Sequence, residues 1–481
     1  MTSEERIKKA IAIATDTRYF EMKQDCLGMA PEVFNKFFEG RKPVVVADEN
    51  TWKAAGEKVY QAMKAAGLAV EKYVIEKAVF HAEWRYVDMV DSILDGDFSK
   101  AREKENDPAY VESDAEKAVR PASDSYLTAV AVGSGVINDL CKLASFHHSQ
   151  SYLTIPTAAS VDGYTSFGAS ITYQNAKQTF NCPAPVAVLA DIDVIAAAPK
   201  EMTAAGYADL AAKVPAGAEW MLADVVGTEP IIPDAWHVLQ DCLDELLADP
   251  QGVASCRPKA IADLFEGLIL SGFAMQAARS SRPASCCDHL FSHIMDMTHH
   301  TYHGQLQSHG FQVAIGTLTM CAIFDSLLKM DLTKLDVDKC VEAWPSLEQE
   351  QNRALDLFKD FPAKRLGYES ITKKYSDKEG VRRELEAFKK LWPTLKEQLR
   401  EQVYPFEKMQ AFFKVVGAPY DPSMIGITRH QLHDMFPIVQ LMRWRYNVLD
   451  LAKRGMFYDE LVESIFKPGA PWDLTQEQEI K

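Results

Sequence analysis

The first 195 residues carry short apolar runs, rich in β-branched side chains, that alternate with stretches of helical periodicity. The runs cover residues 43–48, 70–75, 127–132, 152–156 and 186–190. A helix-like segment at 52–66 separates the first two of them. Because strands that alternate with helices favour a parallel arrangement, the pattern predicts an α/β, Rossmann-like lobe with a mostly parallel, doubly wound sheet.

From residue 196 onward the strand pattern disappears and long helical patterns replace it. The clearest one has apolar residues spaced by three and four, as one face of a helix requires: Leu385, Phe388, Trp392, Leu395, Leu399 and Val403. Pro393 lies inside this pattern and predicts a kink or a break into two helices. We therefore expect two domains, an α/β domain at 1–195 and an all-α domain at 196–481.

Composition and charge limit the classes of function. The 481 residues are 47% hydrophobic and carry 52 basic against 68 acidic side chains, a formal net charge of −16. This balance is typical of a globular protein and excludes an extended nucleic-acid-binding or anionic-membrane surface. The charged stretch at 95–120 is interpreted as a surface insertion or helical excursion.

Compartment is indicated by what the sequence lacks. The N-terminus has no apolar run of signal-peptide length, and 18 consecutive apolar residues occur nowhere. The nine cysteines are scattered, without a C-x-x-C pair, and predict reduced thiols rather than a disulfide framework. We expect a cytoplasmic protein without membrane insertion.

A glycine turn follows the run at 127–132 and opens a helix. Gly133 and Gly135 allow the backbone to approach a phosphate, and the helix N-terminus offers free N–H groups. Asn138 replaces the third glycine of the common dinucleotide fingerprint, so that motif fails here. A tight turn that simply needs glycine remains an equal alternative.

Two further segments strengthen the case for a dinucleotide site. Residues 155–166 place small hydroxyl side chains and Asp162 in one loop, where Asp162 can accept a hydrogen bond from a substrate hydroxyl, although turn chemistry alone would also explain them. Asp48 ends the first apolar run, where a carboxylate can bind the adenosine ribose and disfavour a 2′-phosphate. We expect a preference for NADH over NADPH, with helix capping as the alternative role of Asp48.

Six of the twelve histidines lie between residues 289 and 309. His289 and His293 share one helix face at i, i+4, and His309 precedes Gly310, where the chain can fold back. Two imidazoles and one carboxylate would hold a divalent ion with open positions, as catalysis needs. Asp209 is a carboxylate in an apolar helix that needs a partner, either a metal or Lys213 one turn on.

The three remaining histidines of this cluster are interpreted as capped or surface residues: His299, His300 and His303.

These segments together resemble the sn-glycerol-1-phosphate dehydrogenase family, a branch of the iron-containing alcohol dehydrogenase and dehydroquinate synthase superfamily. The similarity spans most of the chain and is carried by residues 133–139, 156–163, 206–213, 281–289, 308–310 and 445–452. The chain departs from the family at Cys286-Cys287-Asp288, at Tyr207-Ala208 and in the insertion at 95–120.

The resemblance implies a dehydroquinate synthase-like fold and a set of site residues. It implies that one divalent metal, zinc, nickel or iron, is held by Asp209, His289 and His309. Asp162, Asp209 and His293 would contact the substrate and serve in catalysis. With Asp48, the residues assigned to NAD(H) or NADP(H) are Gly133, Gly135, Val136, Ile137, Asn138, Asp139, Thr157, Ala158, Ala159, Ser160 and Ser166.

The implied reaction is hydride transfer between NAD(P)H and dihydroxyacetone phosphate, which yields sn-glycerol 1-phosphate, in a homodimer. Three alternatives stay open. The first is a related polyol or sugar-phosphate dehydrogenase, such as glycerol dehydrogenase. The second is a lyase of the dehydroquinate synthase type, and the third is a binding protein without catalysis.

Overall fold

The computed structural model describes residues 1–77, 80–115, 119–174, 176–477 and 480. They form two compact units. Unit 1 comprises Met1–Leu210 and His237–Ser280, and unit 2 comprises Ala211–Trp236 and Ser281–Lys481.

Ten strands occur among the described residues. In chain order they are β1 Tyr19–Lys23, β2 Lys42–Asp48, β3 Glu71–Ile75, β4 Leu127–Gly133, β5 Leu153–Pro156, β6 Ala169–Tyr173, β7 Ala176–Phe180, β8 Ala187–Asp191, β9 Thr301–Tyr302 and β10 Gln305–Leu306. Six of them form one all-parallel sheet in unit 1, in the order β1-β8-β5-β4-β2-β3. The predicted parallel, Rossmann-like sheet is confirmed.

The α-helices are, in chain order, α1 Ser3–Ile13, α2 Ala30–Phe37, α3 Glu49–Thr51, α4 Glu57–Ala65, α5 Trp84–Leu94, α6 Phe98–Asn106, α7 Gly135–His147, α8 Ile192–Ala196, α9 Lys200–Ala211, α10 Lys213–Val225, α11 Pro233–His237, α12 Leu243–Leu247, α13 Pro250–Ala254, α14 Pro258–Ala278, α15 Cys287–Met297, α16 His309–Leu327, α17 Val337–Ala343, α18 Leu347–Leu357, α19 Leu366–Lys374, α20 Lys378–Gln402, α21 Phe406–Val416, α22 Arg429–Leu441, α23 Val448–Arg454 and α24 Tyr458–Glu463. A π-helical turn, Trp52–Gly56, joins α3 to α4.

The sheet of unit 1 is buried on both faces, as its β-branched composition requires. Along β2, Val44 and Val46 point into a core formed with α5 and α7, whereas Val45 and Ala47 point into a core formed with α2 and α4. Successive side chains of a strand alternate between faces, so a continuous apolar run can fill both cores.

The predicted domain boundary at 195/196 follows the last strand of the parallel sheet, β8, whereas the compact units divide the chain differently. Helix α14 packs against α1 and α8 in unit 1. A Cβ on Gly272 of this helix would lie 2.1 Å from Oγ1 of Thr165. This close packing explains why 237–280, although helical, join the α/β unit.

Unit 2 is helical apart from the short antiparallel hairpin of β9 and β10. Helices α15 and α16 pack along each other, and α16 also contacts α10 and α21. Helix α20 runs unbroken through Pro393, so the alternative of two helices is wrong. Its apolar face is buried on both sides of the proline, at Phe388, Trp392 and Leu395, which holds the helix together.

Two parts of unit 1 were not predicted as strands. β1 is an edge strand with alternating polar residues, and β6 and β7 form an antiparallel hairpin outside the main sheet. The charged stretch at 95–120 contains α6, whose Glu105 is fully buried and accepts hydrogen bonds from the hydroxyl of Tyr73 and the amide of Glu76, both at 2.7 Å. This part of the stretch is therefore packed into the unit; residues 116–118 lie outside the described residues.

Helices α14 and α16 are long and apolar enough to cross a membrane by length and composition. In each, 83% of the apolar window is buried inside the protein, which is typical of core helices. All nine cysteines are free thiols, as predicted.

Candidate active site

The carboxyl ends of β2, β4 and β5 lie side by side at one edge of the sheet in unit 1. Val46 pairs with Ala131, and Gly133 pairs with Pro156, so Asp48, the glycine turn and the loop after β5 start from the same edge. From β2 the chain continues outward to β3 on one side, and it then returns to form β4 and β5 on the other side of β2. Dinucleotides bind at such a switch point in open α/β sheets.

Neither glycine of the turn has room for a side chain. A Cβ on Gly133 would lie 2.6 Å from Cβ of Ile137, and one on Gly135 would lie 2.9 Å from Cγ2 of Val161. Helix α7 begins at Gly135, so its first amide groups, which have no partner within a helix, face this edge. The turn thus has the geometry expected of an anion site.

The polar side chains that follow the turn point inward instead. Asn138 accepts a hydrogen bond from the hydroxyl of Tyr152 at 2.9 Å, and Asp139 accepts one from the amide of Ser170 at 3.0 Å. Burial raises the pKa of Asp139, and the nearby ammonium of Lys142 opposes that shift. These side chains fix α7 to its surroundings, so a cofactor would meet the backbone here.

Lys142 is a site residue that the sequence analysis missed. Its side chain is almost fully buried, and its Nζ donates to the carbonyl oxygens of Gly163, Ser166 and Gly168 at 2.8, 3.0 and 3.0 Å. A lysine two turns into a helix gives no pattern signal, because its role depends on the loop that follows β5. The lysine holds that loop against α7.

The loop after β5 is held at several further points. The amide of Thr157 donates to the carbonyl oxygen of Gly133 at 3.1 Å, and the hydroxyl of Tyr164 donates to that of Ala158 at 2.7 Å. The loop residues Thr157, Ser160 and Ser166 are buried, each with at most 8% of its surface exposed. Four of the predicted cofactor residues, Thr157 to Ser160, therefore lie in a fixed loop beside the glycine turn.

Asp162 and Asp209 come together within unit 1. The amide of Asp162 donates to Oδ2 of Asp209 at 2.9 Å, and the hydroxyl of Ser271 donates to Oδ2 of Asp162 at 2.8 Å. Helix α9 lies so close to the loop that a Cβ on Gly206 would be 1.9 Å from the carbonyl oxygen of Ala159. Gly206 therefore allows the fully buried Asp209 to reach the loop.

Asp48 caps a helix. Its Oδ1 accepts hydrogen bonds from the amides of Asn50 and Thr51 at 2.8 and 2.9 Å. The hydroxyl oxygen of Thr51 in turn accepts a hydrogen bond from the amide of Asp48, which completes a capping box. The capping role that the sequence left as an alternative is thus present. A contact with ribose stays a prediction for this side chain.

In unit 2, the structure brings His289 and His309 together. Their ring centroids lie 5.2 Å apart, His289 in the first turn of α15 and His309 at the first position of α16. Gly316 makes this packing possible, since a Cβ there would lie 2.0 Å from the carbonyl oxygen of Asp288. The two imidazoles are 20 residues apart in sequence and adjacent in space.

Each of these imidazoles is oriented through Nδ1. His289 Nδ1 hydrogen-bonds to Oδ2 of the fully buried Asp288. His309 Nδ1 lies 3.1 Å from the hydroxyl oxygen of Ser292, which itself donates to Gln312 at 2.7 Å. A proton on each Nδ1 makes Nε2 the electron-pair donor, which is the arrangement that metal-binding histidines adopt.

His293 lies one turn beyond His289 on α15 and makes a different contact. Nη2 of Arg443 lies 2.9 Å from its Nε2. Since a guanidinium can only donate, Nε2 accepts and the ring proton is on Nδ1. The three histidines assigned to the surface are outside this group: His300 meets the carbonyl oxygen of Ile425 at 2.6 Å, and His299 and His303 have left-handed backbone angles.

Known proteins resemble this chain in sequence and in fold. Residues 81–199 match the iron-containing alcohol dehydrogenase family. The fold is shared with a probable glycerol dehydrogenase from Sinorhizobium meliloti, at a TM-score of 0.54 and 14% identity over 93% of this chain and 97% of that one.

Curated relatives narrow the similarity within the iron-containing alcohol dehydrogenases. A glycerol-1-phosphate dehydrogenase [NAD(P)+] from Halalkalibacterium halodurans is 31% identical over 58% of this chain and 64% of its own length. One from Pyrococcus horikoshii is 39% identical over 40% of this chain and 54% of its own length. The matched part is less than two thirds of either relative.

Unit 2 also carries a buried cluster of Glu219, Cys286 and Cys287. Glu219 accepts hydrogen bonds from the amides of Cys287 and Val448 at 2.9 and 3.0 Å. Burial raises the pKa of Glu219. Because its oxygens receive backbone amides, this carboxyl joins the start of α15 to α23 and is structural.

Proposed function

We propose that this protein is a metal-dependent NAD(P)H oxidoreductase that interconverts dihydroxyacetone phosphate and sn-glycerol 1-phosphate. The observation that carries the proposal is the His289–His309 pair, in which both rings are oriented by hydrogen bonds at Nδ1. The curated relatives named glycerol-1-phosphate dehydrogenase [NAD(P)+] support the choice of substrate.

The donor set suits a catalytic divalent metal. We propose that His289, His309 and Asp209 hold it, and that the ion is zinc, with nickel and iron as alternatives that the same nitrogen and oxygen donors accept. When bound, the metal supplies Lewis acidity at the substrate carbonyl, and the nicotinamide supplies the hydride. Asp209 is fully buried, and its Oδ2 accepts the amide of Asp162, which fixes the carboxylate beside the loop after β5.

Two residues would orient the substrate and move the proton. Asp162 holds its Oδ2 toward Ser271, which fixes the carboxylate for a hydrogen bond from a substrate hydroxyl. His293 carries its ring proton on Nδ1, because Arg443 occupies Nε2. We assign the relay of a proton to the alcohol oxygen of the product to His293.

The nucleotide would lie along the edge of the sheet where the glycine turn and the loop after β5 meet. The amides at the start of α7 would bind the pyrophosphate, and the residues from Thr157 to Ser160, together with Ser166, would line the ribose and nicotinamide. Asp48 has Oδ1 on the helix cap, and its carboxylate would disfavour a 2′-phosphate. We therefore propose NADH as the preferred coenzyme.

The test is NADH oxidation, followed by absorbance, on metal-analysed protein with dihydroxyacetone phosphate, and the reverse reaction with both glycerol phosphate enantiomers. We expect turnover with the sn-1 enantiomer, loss of turnover after chelation, and a lower kcat/KM with NADPH. A dehydroquinate synthase-type lyase would give no net NADH consumption, and a glycerol dehydrogenase would favour glycerol; either result contradicts the proposal.

We also propose that the enzyme acts as a homodimer in the cytoplasm, on a small phosphorylated triose and without nucleic-acid or membrane partners. Size-exclusion chromatography with light scattering tests the dimer directly.

A further inference from the structure

Three arginines form a cluster in unit 2, and Arg443 among them contacts His293: Arg282, Arg443 and Arg445. Arg443 and Arg445 lie in the bend between α22 and α23, and Arg282 precedes α15. Arg443 reaches His293, and Arg445 donates to the carbonyl oxygen of Ser285 at 3.2 Å. The bend therefore brings Arg443 to His293 on α15 and Arg445 to the residue that lies two positions before that helix.

Besides Asp288, whose charge acts on Arg443, two carboxyl groups lie near the three arginines. Glu229 is shared, its Oε2 3.6 Å from Nε of Arg282 and its Oε1 3.5 Å from Nε of Arg445. Glu219, also near Arg282, has its pKa raised by burial and is thereby biased toward the neutral form. Arg443 makes no ion pair within the described part of the chain, and its one hydrogen bond there is to His293.

A half-buried guanidinium that makes no ion pair is unfavourable, and burial lowers the pKa of Arg443, although the charges of Asp288 and Glu229 oppose that shift. Arg445 is affected in the same direction by burial and by the charge of Arg443, which lowers its pKa to about 10. Two arginines that repel each other in a sparsely solvated place indicate a dianionic ligand, since a planar guanidinium binds a phosphate through paired hydrogen bonds.

We propose that Arg443, assisted by Arg445, binds the phosphate of the substrate and makes the enzyme specific for a phosphorylated triose. The inference rests on the proposed function for the identity of the ligand. One helical turn separates His289 from His293, about 6 Å along the axis, which is on the scale of a three-carbon phosphate ester. Arg443 would bind the ester at one end while its Nη2 keeps His293 in the tautomer that carries a proton on Nδ1.

The first experiment compares kcat/KM for dihydroxyacetone phosphate and for unphosphorylated dihydroxyacetone in wild type, Arg443→Met and Arg443→Lys. Loss of two charge-assisted hydrogen bonds predicts that Arg443→Met lowers the ratio of the two values about 100-fold. Arg443→Lys keeps the positive charge without the paired N–H donors of the guanidinium, so its ratio is expected to fall less. The matched control is Arg383→Met, an exposed arginine whose side chain is 70% accessible, which should leave the ratio unchanged.

A purely structural role for Arg443, through His293 alone, would lower both kcat/KM values equally and overturn the proposal. The second experiment uses inorganic phosphate as the probe and needs no turnover: calorimetry should show binding to wild type and to Arg383→Met, with at least tenfold weaker binding to Arg443→Met. Equal phosphate binding by all three proteins contradicts the anion site. Inactivity of wild type on dihydroxyacetone phosphate, with phosphate binding intact, would instead refute the proposed function alone.

Discussion

Replacing Lys142 with methionine tests how the loop after β5 is held at the nucleotide edge. The ammonium of Lys142 donates to three carbonyl oxygens at 2.8 to 3.0 Å and lies 3.5 Å from a carboxylate oxygen of Asp139. Methionine fills a similar volume without donating. The variant therefore leaves three loop carbonyl oxygens without this donor and Asp139 without its nearby cation.

An unsatisfied buried carbonyl costs about 1–3 kcal/mol, and part of the total is offset because the variant no longer buries an ammonium. We expect a net loss of about 4 kcal/mol in the free energy of unfolding of unit 1. For a unit of this size, that is a fall of about 10 °C in Tm.

The assay is thermal and urea unfolding of Lys142→Met beside Lys390→Met, an exposed lysine whose replacement should be neutral. Because the loop carries predicted cofactor residues, KM for NADH should also rise in Lys142→Met. A Tm within 2 °C of wild type, with an unchanged KM for NADH, would refute the reasoning that the lysine holds the loop.

Three further predictions follow from the structure. Gly206→Ala places a Cβ 1.9 Å from a loop carbonyl oxygen, so Tm and kcat/KM should both fall, whereas Gly28→Ala, with open space around it, should match wild type; equal behaviour of the two variants contradicts the close packing. Ser292→Ala removes the Nδ1 partner of His309 and should weaken metal affinity about 10–100-fold in a chelator competition, and unchanged affinity would show that the hydrogen bond does not orient the ring. Burial lowers the pKa of Lys453 to about 8, whereas the same lysine in the unfolded chain keeps a pKa of 10.5. Between these two values the unfolded chain binds more protons than the folded protein, so the stability of wild type relative to Lys453→Met should rise from pH 8 to pH 10.5. A difference in the free energy of urea unfolding that does not change with pH would contradict this prediction.

The strand pattern could be predicted because a parallel sheet is buried on both faces. Runs such as 44–47 are continuously apolar, which few other elements of that length require. β1 escaped prediction because it is an edge strand, and its alternating polar residues resemble a loop. Pro393 misled the prediction in the other direction, since tertiary packing of Trp392 and its neighbours outweighs the missing amide.

For the candidate site, the spacing of His289 and His309 carried most of the information. The residues that orient the two imidazoles could not be predicted, because their roles depend on how α15 and α16 pack. Asp288 was noted only as a departure from the family pattern, and Ser292 was not singled out. Lys142 and Arg443 were missed for the same reason. Each meets its partners, the loop after β5 or His293, across 20 to 150 residues of sequence, and no local pattern encodes such a contact.

We propose that the His289–His309 pair binds the metal on which reduction of dihydroxyacetone phosphate depends. Bound metal and NADH oxidation are measured together in wild type, His309→Ala and His237→Ala, the last an exposed histidine with a side chain 64% accessible. We predict about one divalent ion per chain and turnover for wild type and His237→Ala, and loss of both for His309→Ala. A His309→Ala protein that oxidises NADH with dihydroxyacetone phosphate while free of metal would contradict the account.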